Sequence, residues 1–224
     1  ENYDTALIAN PAVNEGTIAV ASMENTKRHM YVIRWKDSWD AYVNEEMDLH
    51  KGENPKKIIS ADIFDLKNAK QEFIKKENIE GKLVLFEIPT TKDSLGFGDK
   101  LESIAELKPD AIVFYNNRSM AEQIGGNLEV PGNAGKLTCV RIKRSTYDKL
   151  MEEYGYNNDL RPEIFTEMTD VDNVAAGSVS KFSSWGPTPD LRIKPEITAP
   201  GGHIYSSVEG DKYKDMSGTS MAAP

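Results

Sequence analysis

Apolar and polar positions divide this chain into three stretches with different periodicities. In the first, Glu1 to about Glu24, the run GTIAVASM places a compact apolar block from Thr17 to Met23 between Gly16 and Glu24. A short continuous block of this kind reads as a strand buried on both faces, as in a parallel sheet. Asn10-Pro11 just upstream is a turn signal. The chain therefore enters a core element almost at once, whereas a natural domain usually opens at an exposed linker. The opening is expected to lie in the middle of a domain.

The second stretch, about Asn25 to Asp172, alternates strand-like and helix-like patterns. HMYVI reads as a strand. In DLKNAKQEFIKKE the apolar positions Leu66, Ala69, Phe73 and Ile74 suit one face of an amphipathic helix or turn. Gly81–Ile88 (GKLVLFEI) is a strong buried strand. Leu101, Ile104, Ala105 and Leu107 share a helical face in DKLESIAELKPD, which Pro109 stops. DAIVFYNN is again a strand. Strand, helix and strand in quick succession form a right-handed crossover unit with the helix laid over the sheet. Further strands are expected in GKLTCVRIKR and near EIFTEM. TYDKLMEEYG is expected to be a short helix ended by Gly155.

The third stretch, Asn173 to Pro224, carries KFSSWGPTPD, KPEITAPGGHIYSS and YKDMSGTSMAAP. Its Gly and Pro residues stand singly among apolar and aromatic ones, the composition of tightly specified loops rather than of a flexible linker. EITAP reads as a short buried strand ended by Pro200-Gly201, and SMAAP as the first turn of a helix.

The chain is 224 residues long, with 39% hydrophobic and 28% charged residues, enough for a sizeable core and unlike a disordered chain. Asp and Glu outnumber Lys and Arg by 36 to 27, giving a net charge of −9. This argues against nucleic acid as a partner held by broad phosphate neutralisation. No apolar run is long enough for a membrane span. Cys139 is the single cysteine, which excludes an internal disulfide and a thiolate metal cluster. Its place in the alternating run KLTCVRI predicts a buried structural thiol.

Ser220 stands out among the candidates for chemistry. Gly218-Thr219 precede it and Met221-Ala222-Ala223 follow, so small residues surround a serine at a loop-to-helix junction. A nucleophile whose oxyanion is held by backbone N–H groups requires such close backbone approach. A plain helix cap uses the same residue type in the same place, and spacing alone leaves both readings open. His29, His50 and His203 lie in neither Gly-rich nor metal-binding contexts and read as structural or surface residues. The carboxylates are scattered. Asp170 and Asp172 sit close together in an exposed-looking segment that could serve calcium. LGFGDK, from Leu95 to Lys100, lacks a phosphate-loop pattern and reads as a turn.

SGTSMAAP, from Ser217 to Pro224, resembles the catalytic-serine motif of the subtilisin-like serine proteases. FSSWGP and KPEITAPGGHIYS resemble the run before that motif, and NPAVNEGTIAVAS is similar to the strand after the family's oxyanion-asparagine region. The middle stretch, with GKLVLFEI and KPDAIVFYNN, resembles a protease-associated domain inserted at this point, as in the large cell-envelope proteases of Gram-positive bacteria. The resemblance implies an α/β fold in which a protease-associated domain (residues 25–172, a mixed sheet with short helices) interrupts an incomplete subtilisin-like catalytic domain (1–24 and 173–224).

The resemblance also implies roles. Ser220 would be the nucleophile of a secreted or cell-wall-attached endopeptidase acting on proteins or peptides. Its own N–H would contribute to the oxyanion hole, with Thr219 shaping it, Gly218 keeping the approach tight and Met221 packed behind. No cofactor is implied for the chemistry, and structural calcium is compatible with the parent protein. The family's catalytic aspartate, catalytic histidine and oxyanion-asparagine motifs are absent from this sequence, and Asn10 and Asn14 lie in a different motif. The isolated chain is therefore expected to be inactive, with its catalytic flanks packed on each other, partly mobile or completed by swapping with another copy. A non-catalytic substrate-capture module or a structural spacer is the alternative reading.

Overall fold

A computed structural model describes residues 12, 14–68, 71–89, 96–120, 124, 128–184, 186–188 and 190–224. The Asn10-Pro11 turn signal, Ala69, Leu95 and Trp185 lie outside them. The chain forms two compact units, one from residues 1–30 with 169–224, the other from residues 31–168.

In chain order, strands β1 (Val20–Glu24) and β2 (Lys27–Met30) come first. They are followed by β3 (Val32–Lys36), β4 (Tyr42–Glu46), β5 (Asp48–His50), β6 (Ile58–Ser60) and β7 (Ile63–Lys67). Helix α1 (Gln71–Ile74), strand β8 (Leu83–Glu87), helix α2 (Phe97–Ala105), and strands β9 (Ala111–Tyr115) and β10 (Cys139–Ile142) make the central succession. Helix α3 (Arg144–Tyr156), β11 (Glu163–Phe165) and β12 (Thr169–Asp172) lead out of it. The last segment holds β13 (Gly186–Pro187), β14 (Ile193–Lys194), β15 (Ile197–Gly202), β16 (Ile204–Val208), β17 (Lys212–Met216) and α4 (Thr219–Ala222).

The unit of residues 31–168 is built on a five-stranded sheet of order β5-β10-β9-β8-β7. β7, β8, β9 and β10 run parallel, and β5 joins antiparallel at the edge. The apolar runs of β8 and β9 are continuous because both sheet faces are covered. On one face Leu83, Leu85, Ala111, Val113, Tyr115, Val140 and Ile142 pack with Tyr147 and Leu150 of α3 and with Ile33, Trp35, Ile59 and Ile164. Those last four come from a second sheet, of order β4-β3-β11-β6. On the other face Val84, Phe86, Ile112, Phe114 and Cys139 pack with Ile74, Leu101 and Ile104 of the helices. The period-2 alternation of the strands thus feeds two separate cores. Arg141 reaches across to the buried Asp48, its Nε donating over 2.7 Å, and fixes the antiparallel edge strand.

In the other unit β1 pairs in parallel with β15, which is Ile197–Gly202. β12 pairs antiparallel with β2, and β16 with β17. The overall class is mixed α/β, as expected. The compact unit begins at Tyr31 and ends at Met168, inside the 25–172 span expected for an insertion. The flanking residues are taken up by the β2–β12 ribbon, whose register places Met30 opposite Thr169 and Lys27 opposite Asp172.

Several local expectations are corrected. Leu66 lies in β7 rather than in a helix, and α1 begins only at Gln71. Leu66 is buried on the sheet face that α2 covers, so its apolar spacing to Ile74 reports a shared core and not a shared helix. HMYVI divides between β2 and β3, which pair with different partners. Gly155 does not end α3, which runs to Tyr156. β15 continues through Pro200 and Gly201 to Gly202, and it is not the buried strand expected, since Ile197, Thr198 and Pro200 are exposed and only Gly201 and Gly202 are buried. Among the described residues no strand pairs with its edge opposite β1, the setting in which a strand tolerates proline. Gly96 to Lys100 of the expected turn lie at the start of α2.

Cys139 is fully buried, as the alternating pattern predicts, and its thiol donates to the Ala134 carbonyl over 3.5 Å. Burial pushes its pKa up to about 12. Native protein is therefore expected to resist alkylation by iodoacetamide at about pH 8, and unfolded protein to react at once. Since folding raises this pKa, the buried thiol's contribution is fully present below the ordinary thiol value of about 8.5 and is lost progressively as the pH rises from there through about 12. Alkylation that is equally fast in native and denatured protein would contradict this.

Candidate functional site

The serine motif sits where β1 and β15 end. These strands are far apart in sequence but pair residue by residue, Val20 with Ile197, Ala21 with Thr198 and Ser22 with Ala199. The entry to the pairing is clamped by KPE. The buried Lys194 ammonium donates to the Thr17 carbonyl over 2.6 Å and pairs with Glu196. Glu196 in turn accepts from the Ala19 N–H over 2.8 Å. The Lys194 ammonium, with that N–H, holds the Glu196 carboxyl below the usual carboxylate range.

The other edge of β1 is held by the residues that precede FSSWGP. The Ser180 N–H donates to the Ser22 carbonyl over 2.8 Å, and the Glu24 N–H to the Ser178 carbonyl over 2.9 Å. Three serines close this layer. The Ser22 N–H donates to Ser183 Oγ over 3.0 Å, and the Ser22 and Ser180 hydroxyls share a hydrogen bond of 2.9 Å. All three are buried, Ser22 completely. A buried hydroxyl is tolerated because it is hydrogen-bonded.

On this base the nucleophile-like loop is fixed at very short range. The Gly218 N–H donates to the Gly201 carbonyl over 2.8 Å. A Cβ on Gly201 would meet Ser22 Oγ at 2.5 Å, the Gly218 carbonyl oxygen at 2.7 Å and Ala222 Cβ at 2.8 Å. There is no room for any side chain, so Gly201 is what lets α4 and its preceding loop lie against the strand pair. At the next turn the Met221 N–H donates to the Gly218 carbonyl over 3.0 Å. Met221 is half-buried, whereas Thr219 and Ser220 are exposed. The Ser220 hydroxyl makes no hydrogen bond with the described residues, and its place in the first turn of α4 leaves its N–H without an intrahelical acceptor.

The histidines are placed elsewhere. His50, in the other unit, faces two backbone carbonyls, Leu128 at 3.2 Å from Nδ1 and Gly135 at 2.9 Å from Nε2. His29 stands on β2 with Nδ1 2.8 Å from Asp170 and its ring 4.1 Å from that of Tyr205. His203 follows Gly201-Gly202 and holds Asp215 at 3.3 Å. It does not touch Ser220. Asp170 and Asp172 lie on β12 and are each matched with a residue of β2, Asp170 with the His29 ring and Asp172 with the Lys27 ammonium at 2.6 Å. The pair therefore does not fit a calcium ion, which needs six or more oxygen ligands gathered at one point. No group of three or more metal-ligating side chains occurs among the described residues. No helix among them is long and apolar enough to cross a membrane.

The family model described as the subtilase family matches residues 2–224. The chain belongs to the subtilase family. This subtilase is 29% identical over 229 residues to the C5a peptidase of Streptococcus pyogenes serotype M3, covering 100% of this chain and 18% of that protein. It is 27% identical over 240 residues to the PII-type proteinase of Lactococcus lactis subsp. cremoris, covering 99% of this chain and 12% of that protein. The subtilase chain thus spans less than a fifth of the length of these curated relatives. Among solved structures, the psychrophilic subtilisin-like protease Apa1 of Pseudoalteromonas sp. AS-11 matches 87% of this chain and 36% of its own, with 11% identity and a TM-score of 0.43.

Sequence reasoning placed Ser220, Gly218, Thr219 and Met221 in one short motif, and the fold keeps them there. It missed Ser22, Ser180 and Ser183, since nothing local marks a serine as buried, and it missed Gly201 as a contact point. The doubled glycine after TAP was the one available sign.

Gly201→Ala is expected to cost about 1–3 kcal/mol, the range for overpacking a close contact. The loss should appear as faster amide hydrogen exchange across Val20–Glu24 and Ile197–Gly202. Gly98→Ala on α2, where an added Cβ meets nothing within 4 Å, should leave exchange in its own unit unchanged or slower. Unchanged exchange in Gly201→Ala would show that the contact is not restrictive.

Proposed function

We propose that this chain is a segment of a secreted, cell-wall-associated serine endopeptidase in which Ser220 attacks the scissile carbonyl of a protein or peptide substrate. The observation that carries this reading is the pinning of Gly218 to Gly201 beside an exposed, unbonded Ser220. A serine that only capped a helix would accept a hydrogen bond from its own turn. Here the N-cap position is Gly218, with no side-chain cap bond, and the Ser220 hydroxyl stands free beside the Gly218–Gly201 contact. In the attack the hydroxyl oxygen bonds to the carbonyl carbon as its proton passes to a general base, and the carbonyl oxygen takes up negative charge. The Ser220 N–H supplies one donor for that charge. Thr219 and Gly218 set the approach of the backbone, and Met221 fills the space behind.

The general base and its orienting carboxylate belong, in this reading, to other parts of the protein, as does the oxyanion asparagine. His203 does not serve as base, because its ring is engaged with carboxylates and not with Ser220. The chain by itself is proposed to be inactive for that reason. The unit of residues 31–168 is proposed to be an inserted protease-associated domain, supported by its continuous double-sided core and by the closeness of its entry and exit at Met30 and Thr169. The relatives named as peptidase and proteinase support the reaction class.

The reading is tested in the full-length polypeptide carrying this segment. A fluorophosphonate probe is expected to label the unsubstituted protein and to leave Ser220→Ala unlabelled, a loss of at least about 10³-fold. Equal labelling of the two proteins would remove Ser220 from the mechanism.

A further inference from the structure

We infer that His203 is a positioning residue for the Ser220 loop, acting as a protonation-dependent latch between β1 and β17. The inference rests on the reading of Ser220 as nucleophile. Its basis is the surroundings of the imidazole. Nδ1 lies 3.3 Å from Asp215 Oδ1 and Nε2 lies 4.0 Å from Glu24 Oε2. Among the described residues these two carboxylates, one from β17 and one from β1, are the charged groups that face the ring. Both are acceptors when ionised. A neutral imidazole carries one N–H and can serve one of them, leaving a ring lone pair turned toward the other. The imidazolium donates to Asp215 and attracts both carboxylates by opposite charge, the 4.0 Å contact with Glu24 being an ion pair rather than a hydrogen bond. The side chains are 29%, 16% and 24% exposed for His203, Glu24 and Asp215, so solvent screens these contacts only in part.

The latch is wired to the serine loop through short backbone links. The His203 N–H donates to Ser217 Oγ over 2.9 Å, and Asp215 lies two residues before Ser217. From the other side the Gly218 N–H is bonded to Gly201, two residues before His203. Gly202 makes the arrangement sterically feasible, since a Cβ there would come within 2.4 Å of the Glu24 carboxylate. His203 itself has φ 57, in the left-handed region that histidine, asparagine and aspartate enter more readily than other residues. Asn25 Nδ2 holds the His203 carbonyl at 3.4 Å. Protonation of one ring therefore joins the ends of β1 and β17 on either side of the loop that carries Ser220. Deprotonation removes the ion pair with Glu24, leaves only a neutral hydrogen bond to Asp215 and so loosens the loop.

The experiment compares fluorophosphonate labelling rates of the full-length protein and its His203→Asn variant from about pH 5 to about pH 8, the range in which imidazoles change charge. Asparagine keeps the left-handed backbone accessible and removes the ring. Taking the ratio of the two rates at each pH cancels the titration of the general base. The ratio is expected to be about tenfold at the acid end and to fall toward one at the alkaline end. A ratio that stays constant with pH, whatever its size, overturns the latch, because a merely structural role moves all pH values alike. Asp215→Asn should show the same acid-side deficit, and it carries the test alone should His203→Asn fail to give a native circular dichroism spectrum. Ser220→Ala is labelled in parallel. Loss of labelling there with a flat His203 ratio sinks the latch alone, whereas retained labelling sinks the nucleophile assignment and the latch with it.

Discussion

The parallel pairing of β1 with β15 is the constraint on which the site depends. It joins residues about 177 positions apart and leaves almost no space between the layers it brings together. Parallel strands cannot be closed by a tight turn and need a long crossover. Here the chain between them is long enough to build a compact unit of its own, and the β2–β12 ribbon returns it with Met30 opposite Thr169. The entropic cost of such a closure grows only slowly with length. It is offset by a dense set of short-range links: Lys194 and Glu196 at one end, the buried serines along the side, and Gly201 at the other end.

The same economy of space accounts for the character of the residues around Ser220. Gly201 and Ser22 are small or buried because the serine loop lies directly on them. An exposed hydroxyl held on a support of this kind is pre-positioned without bonds of its own that an attack would have to break. That is the physical content of the preorganised nucleophile proposed for Ser220.

The unit of residues 31–168 follows a different logic. Its central strands carry an unbroken apolar sequence, and the pleat divides that sequence between two cores. Leu85 and Val113 face α3 and the second sheet, while Phe86 and Phe114 face α1 and α2. Several polar groups inside it are matched, although the buried Trp35 Nε1 finds no acceptor among the described residues. Tyr147 stacks on Tyr115 at 3.7 Å and donates to Asp65 over 2.8 Å, and burial pushes the Tyr147 phenol up to about 12.

The sequence by itself determined the buried strands β8 and β9, the α2 and α3 helices and the serine motif. Each is local: a run of apolar residues, a 3.6-residue period, or six residues that together require close backbone approach. It misassigned Leu66 because an apolar residue has the same spacing to its neighbours whether they share a helix or merely a core. It ended β15 at Pro200-Gly201 because proline and glycine usually stop strands, whereas an edge strand with a close-packed neighbour uses both. The β16–β17 hairpin escaped notice because its polar, exposed strands carry little apolar alternation. Only the tertiary structure decided that Ser22 lies under Gly201, that His203 faces Glu24 and Asp215, and that Asp170 and Asp172 are spent on His29 and Lys27. Those contacts join segments distant along the chain, and no periodicity records them. They follow from strand register, which is fixed by packing over the whole unit rather than by any one segment.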